Sequence, residues 1–194
     1  MKKLLFPALS EFTGTFFLSL AALTVPAPFT IFAVGIVLLV FVYVIGPISG
    51  AHINPAITIG LVAARQFPTG EGVLYIFVQL VAALFARMMV SQGWIGALGN
   101  YSSAGVAAEF IGFGILMLAV AAVTEKRVTA AGSGVAVGPA LMAGLFISGG
   151  VLNPAVAVAM GLSTSPAVWA TSLSGVAFAL LYVLLKKGIP PKVD

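Results

Sequence analysis

The sequence predicts an all-α membrane protein in which six helices span the bilayer and two shorter helices enter it without crossing. Three observations carry that prediction. Hydrophobic residues make up 61% of the 194-residue chain and charged residues only 7%, against roughly 25% charged in a soluble domain, and the mean hydropathy is +1.18. Six apolar runs of spanning length are punctuated by Gly, Pro and charge. Two Asn-Pro-Ala triplets, Asn54-Pro55-Ala56 and Asn153-Pro154-Ala155, each precede an apolar stretch too short to span.

The spanning runs cover about 8–25, 29–46, 71–92, 105–124, 130–147 and 166–185. At about 20 residues per span they consume about 120 residues, so the whole chain, 1–194, reads as one transmembrane domain. Helices are the expected element, because a lipid-exposed backbone must satisfy itself internally and the runs lack the alternating polarity of a membrane barrel. Met1-Lys2-Lys3 before an apolar stretch has the look of a signal peptide, but Glu11 interrupts the would-be hydrophobic region and an uncleaved first span is expected.

Orientation follows from Lys and Arg, which resist translocation. Lys2, Lys3, Arg65, Lys126, Arg127, Lys186, Lys187 and Lys192 all fall on one side, and the connections around 26–28, 93–104 and 148–152 carry none. Both termini are therefore expected in the cytoplasm. Arg87, the ninth basic residue, lies inside the third run. It either snorkels to the headgroups or turns toward an outer vestibule as a local cation.

The chain repeats itself. Ser10-Glu11-Phe12-Thr13-Gly14 returns 98 positions later as Ala108-Glu109-Phe110-Ile111-Gly112, and Ser49 to Ala56 returns 99 positions later as Ser148 to Ala155. The repeats divide the chain into about 1–97 and 98–194. Each half holds three crossings, an odd number, so the second is inserted upside down relative to the first. The two Asn-Pro-Ala segments then enter from opposite faces.

Ile57 to Ala64 and Val156 to Leu162 are the short stretches behind the triplets. Asn is a favoured N-cap and Pro fits the first helical position, so each triplet reads as a helix start. Two half-helices entering from opposite faces meet N-terminus to N-terminus near the bilayer centre. Their positive dipole ends repel a cation there, while the Asn54 and Asn153 amides donate to an uncharged acceptor such as water. That is a filter for neutral polar molecules.

Composition excludes other chemistries. With no cysteine and one histidine, thiolate and histidine-rich metal sites are absent, and no metal or cofactor is expected. No segment is polar enough for an extramembrane catalytic or nucleic-acid-binding module, so the net charge of +4 reports topology, and neither an enzyme nor a nucleic-acid partner is expected.

Over essentially its full length the chain resembles the aquaporin, or major intrinsic protein, family. The matching residues are Glu11-Phe12-Thr13-Gly14-Thr15, the Ser49 to Thr58 segment with His52 and Asn54-Pro55-Ala56, Tyr75 with Gln79, Ala108-Glu109-Phe110, and the second Asn-Pro-Ala. The resemblance implies an inverted 3+3 channel that assembles as a homotetramer. It also implies that Glu11 and Glu109, costly in hydrocarbon unless bonded, accept hydrogen bonds from the loops carrying the half-helices, and that Gln79 braces one of them. Proton-coupling carboxylates of a secondary transporter are the competing reading. His52 reads as a loop brace near the cytoplasmic vestibule, with a proton relay as the other reading.

In the family, four residues form a constriction on the extracellular side of the Asn pair. Counting without gaps from each triplet, these positions fall on Val34, Leu141, Gly150 and Val156. Water-selective members carry an aromatic, a His, a small residue and an Arg there. Here three are aliphatic and one is glycine, which widens the opening and removes competition for water's hydrogen bonds. The glycerol-conducting branch is not matched either, since its Asp after the filter arginine falls on Ala157 and its bulky aromatic on Val34. The resulting expectation is a passive channel for water and small neutral solutes, with ammonia, urea, hydrogen peroxide or glycerol as candidates. A water-selective channel whose missing arginine is supplied elsewhere is the alternative; a junctional protein and a secondary transporter are the more distant ones.

Overall fold

The computed structural model describes residues 2–96 and 105–189. Lys192 and residues 97–104 of the third connection lie outside them. Among the described residues eight helices follow one another: α1 (Lys2–Thr24), α2 (Thr30–Ser49), α3 (Pro55–Ala63), α4 (Thr69–Ser91), α5 (Val106–Thr124), α6 (Ala130–Ser148), α7 (Pro154–Met160) and α8 (Pro166–Leu185). Six of them are long and apolar enough to cross a membrane, and α3 and α7 are not.

The ends differ from the apolar runs where proline was read as punctuation. α1 begins at Lys2 rather than near residue 8 and passes through Pro7, while α2 continues through Pro47 to Ser49 and α6 contains Pro139. Each proline removes one i→i−4 hydrogen bond. Pro7 and Pro47 lie within two turns of a helix end, and in a bundle of spanning helices such interruptions are absorbed by neighbours.

α1 packs on α2 and α4, α5 packs on α6 and α8, and α2 meets α6 between these groups. The short helices cross over: α3 lies mainly against α8, and α7 against α4. Small residues permit this. A methyl on Gly60 of α3 would stand 2.6 Å from the carbonyl oxygen of Gly175 in α8, and one on Gly112 of α5 would stand 2.5 Å from that of Gly144 in α6. Backbones in van der Waals contact are how membrane helices gain packing energy without a hydrophobic driving force.

The outward surface is apolar. Phe6, Phe77, Trp169, Leu173 and Leu184 are all exposed, whereas Glu11, Gln79, Thr58 and Glu109 are buried. This inversion of the soluble pattern suits a molecule solvated by lipid. On one face of the bundle Lys186 pairs with Glu125, Gln66 donates from Nε2 to Glu125 Oε1 at 2.6 Å, and Arg127 donates to the carbonyl of Ile189 at 2.5 Å. The α3–α4 connection, the α5–α6 turn and the end of α8 therefore share that face.

Candidate functional site

α2 ends on Gly50 (φ 87°) and α6 on Gly149 (φ 64°), both left-handed, and from each the chain turns back into the bundle. The loops then place Ile53 (φ 52°) and Leu152 (φ 55°) in the left-handed region. A β-branched residue is rarely found there. Next come Asn54 and Asn153, both extended, each capping the helix it begins: Asn54 Oδ1 accepts from Ala56 N at 2.9 Å, and Asn153 Oδ1 accepts from Ala155 N at 3.0 Å. The prolines at the first helical positions have no N–H to satisfy.

The two caps are fastened to each other's loops. Asn54 Nδ2 donates to the carbonyl of Leu152 at 2.9 Å, and Asn153 Nδ2 donates to the carbonyl of Ile53 at 3.0 Å. The left-handed residues supply the carbonyls, and the caps supply the donors. Each amide nitrogen carries two hydrogens, so one is committed to the crossed bond and one is left over. Two helix N-termini thus face one point, with two spare donors beside it.

A cavity of about 210 Å³ opens onto that point. Its lining includes Asn54 and Asn153 together with Val34, Leu141, Gly150 and Val156, the four positions found by counting from the triplets. Among the described residues no Lys, Arg, Asp or Glu lines it. A second, wider cavity of about 1110 Å³ opens on the Glu125 face, where Gln66, Phe67, Lys126 and Arg127 contribute to its wall. His52 lines both.

His52 is fixed at that junction. Its ring packs edge-on to Phe67 and Tyr75, with centroids at 4.5 and 5.2 Å, and Nδ1 lies 3.1 Å from Thr58 Oγ1. Thr58 Oγ1 also lies 3.1 Å from the carbonyl of Asn54, so the Thr58 hydroxyl ties the His52 ring to the cap of α3.

Glu11 lies beneath the first loop, fully buried. It accepts from the backbone N–H groups of His52 (2.9 Å) and Ile53 (2.6 Å), from Ser49 Oγ (2.8 Å) and from Gln79 Nε2 (2.8 Å). Glu109 takes the matching place beneath the second loop, with two donors, Val151 N at 2.6 Å and Leu152 N at 3.0 Å. Ser49, Thr58 and the Tyr75 hydroxyl, which donates to the Ser49 carbonyl at 2.9 Å, complete the first anchor. The residue pattern assigned these three no separate task, because their partners are mostly backbone atoms that leave no mark in a sequence.

Arg87 sits at the far end of α7. Its side chain does not line the 210 Å³ cavity; Nη1 donates to the carbonyl of Val158 in α7 at 3.3 Å, beside the capping Gly161. A cation at the C-terminal end of a helix is favoured by the dipole and by orphan carbonyls. That partner ties Arg87 to the C-terminal end of α7.

Residues 7–138 match the model of the major intrinsic protein family. Aquaporin AqpM of Methanothermobacter thermautotrophicus is 31% identical over 194 residues, covering 76% of this chain and 78% of that protein. Aquaporin NIP1-4 of Oryza sativa subsp. japonica is 30% identical over 186 residues, covering 83% of this chain and 68% of that protein. The X-ray structure of the aquaglyceroporin from Plasmodium falciparum shares the fold, with a TM-score of 0.70, 96% of each chain covered and 18% identity. Six spans around two meeting half-helices define an integral multi-pass membrane channel. This chain belongs to the major intrinsic protein family, whose members are passive channels for water and small solutes and not enzymes.

Proposed function

We propose that the 210 Å³ cavity, the Asn pair and the wider cavity below form one continuous path through which water and small neutral solutes pass down their gradients. The carrying observation is the crossed pair of Asn–carbonyl bonds at the inner end of a cavity whose wall includes Val34, Leu141, Gly150 and Val156. Pro55-Ala56 and Pro154-Ala155 set the two half-helices so that their positive ends face the crossing, which opposes cations. The spare Asn donors take over hydrogen bonds that a solute gives up. The aliphatic ring of Val34, Leu141 and Val156 with Gly150 acts as a wide filter, admitting ammonia, urea or hydrogen peroxide, with glycerol the largest candidate.

Among the described residues no Lys or Arg lines the cavity, so a substitute for the filter arginine has no observation behind it. Glu11, Glu109, Gln79 and His52 serve as braces of the half-helices. The two halves, about 1–97 and 98–194, are inverted repeats of one channel domain, both termini face the cytoplasm, and four copies assemble in the bilayer. Stopped-flow light scattering of proteoliposomes, comparing water, ammonia, urea and glycerol, tests the proposal: passive flux of water and at least one larger neutral solute supports it, and strict dependence on a proton gradient contradicts it.

A further inference from the structure

The aliphatic ring is one layer of a deeper sleeve. On three helices the 210 Å³ cavity is lined by residues four positions apart: Val34 and Leu38 on α2, Leu141 and Leu145 on α6, Val156 and Met160 on α7. Residues at that spacing share a helix face, and four residues rise about 6 Å. The sleeve is therefore about two water diameters long.

Among the described lining residues, polar side chains are those of Thr30, His52, Asn54 and Asn153. Thr30 is the first residue of α2, and its hydroxyl donates to the Val25 carbonyl at 2.5 Å. His52 and the Asn pair stand at the inner end. Gly149 and Gly150 also line the cavity and have only backbone to present. A solute inside the sleeve can therefore set one polar edge against that turn, while its other faces meet hydrocarbon and the thioether of Met160.

We propose, resting on the channel reading above, that the sleeve selects neutral solutes with one polar edge and one alkyl face, such as a small primary amide, over solutes of the same size that are polar all round. The polar edge is served by the Gly149-Gly150 backbone and then by the spare Asn donors. The alkyl face lies against Val34, Leu141 and Val156. A polar group set against hydrocarbon without a partner is costly, and a methyl removed from water there is favoured. Both effects act in the same direction.

Acetamide and urea are a matched pair for the test, nearly equal in size, with one methyl in place of one amino group. Their permeabilities are measured by stopped flow in proteoliposomes of the full chain, with the flux of protein-free vesicles of the same lipid subtracted. Acetamide should pass about tenfold faster than urea, the factor expected for one polar group without a partner. Val34→Thr puts a hydroxyl in place of a methyl at nearly constant shape and should lower that ratio severalfold; Val156→Thr makes the same test should the first variant not fold. Equal permeability to the two solutes, or a ratio that the folded threonine variants leave unmoved, overturns the inference and leaves the channel reading standing. A chain that passes water but neither solute overturns it together with the wide filter.

Discussion

Asn54 Nδ2 donates to the carbonyl of Leu152 at 2.9 Å, across 98 residues of sequence, and the same bond is made in reverse from Asn153 to Ile53 at 3.0 Å. The caps of the two half-helices are thereby one structural unit. Neither loop can shift without breaking a bond made by the other.

Replacing either Asn by Asp removes a donor from this pair and sets a carboxylate against a carbonyl and two helix N-termini. The expected result is a rise in proton or sodium leak, as the positive field that opposes cations is cancelled, together with a destabilisation of about 1–3 kcal/mol from the broken buried bond. Ion-flux measurement in vesicles checks the first and thermal unfolding the second. Leak equal to that of the unsubstituted protein in both variants would show that the caps do not set ion exclusion.

Glu11→Gln and Glu109→Gln should not be equivalent. Glu11 serves two backbone donors, a hydroxyl and an amide, whereas Glu109 serves two backbone donors. The first substitution should lower the unfolding temperature more than the second, and both variants should conduct water without a proton gradient. An inverted order of stability would mean that the bond count does not govern the anchors.

Arg87→Met deletes a cation at the end of α7 while keeping the apolar stem. At an exposed site the cost should be about 0.3–1 kcal/mol, with solute selectivity unchanged. A change in the urea-to-water flux ratio would place Arg87 on the path.

The Glu125–Lys186 pair on the face shared with the end of α8 gives a pH dependence of known sign. Hydrogen bonding to Lys186, aided by Gln66, holds the Glu125 carboxyl below the usual carboxylate value of 4.5. A carboxyl depressed in the folded state contributes stability above its unfolded pKa and loses it as pH falls through the folded one. Both side chains are partly exposed, at 22% and 24%, so the contribution is small. Melting temperature should be flat from pH 7 to about 5 and then decline, with Lys186→Met reducing the part of the decline due to this pair; an identical profile in the variant would contradict it.

Much of this arrangement is written in side chains and was open to reading. The triplets mark helix starts because Asn caps and Pro tolerates the first position, and α3 and α7 begin at Pro55 and Pro154. Counting without gaps was enough to bring Val34, Leu141, Gly150 and Val156 onto one cavity, because the repeat preserves spacing between loop and span. What stayed hidden involves backbone acceptors. The carbonyls of Leu152, Ile53 and Val158 receive Asn54, Asn153 and Arg87, and a carbonyl has no residue type. Prolines misled at the ends of α1 and α2, because a spanning helix absorbs a missing N–H that a soluble one would end on.

The most direct test is at Val156, which lines the cavity in the first turn of α7. Proteoliposomes carrying the unsubstituted chain and Val156→Arg are compared by stopped flow for water, ammonia and urea. An arginine there adds donors and a positive charge inside the aliphatic ring, levers that set selectivity in such pores. The unsubstituted chain should pass ammonia or urea measurably, and Val156→Arg, once shown to fold, should reduce that flux more than it reduces water flux. A chain that passes water but neither solute, with a ratio that Val156→Arg leaves unchanged, would contradict the wide aliphatic filter.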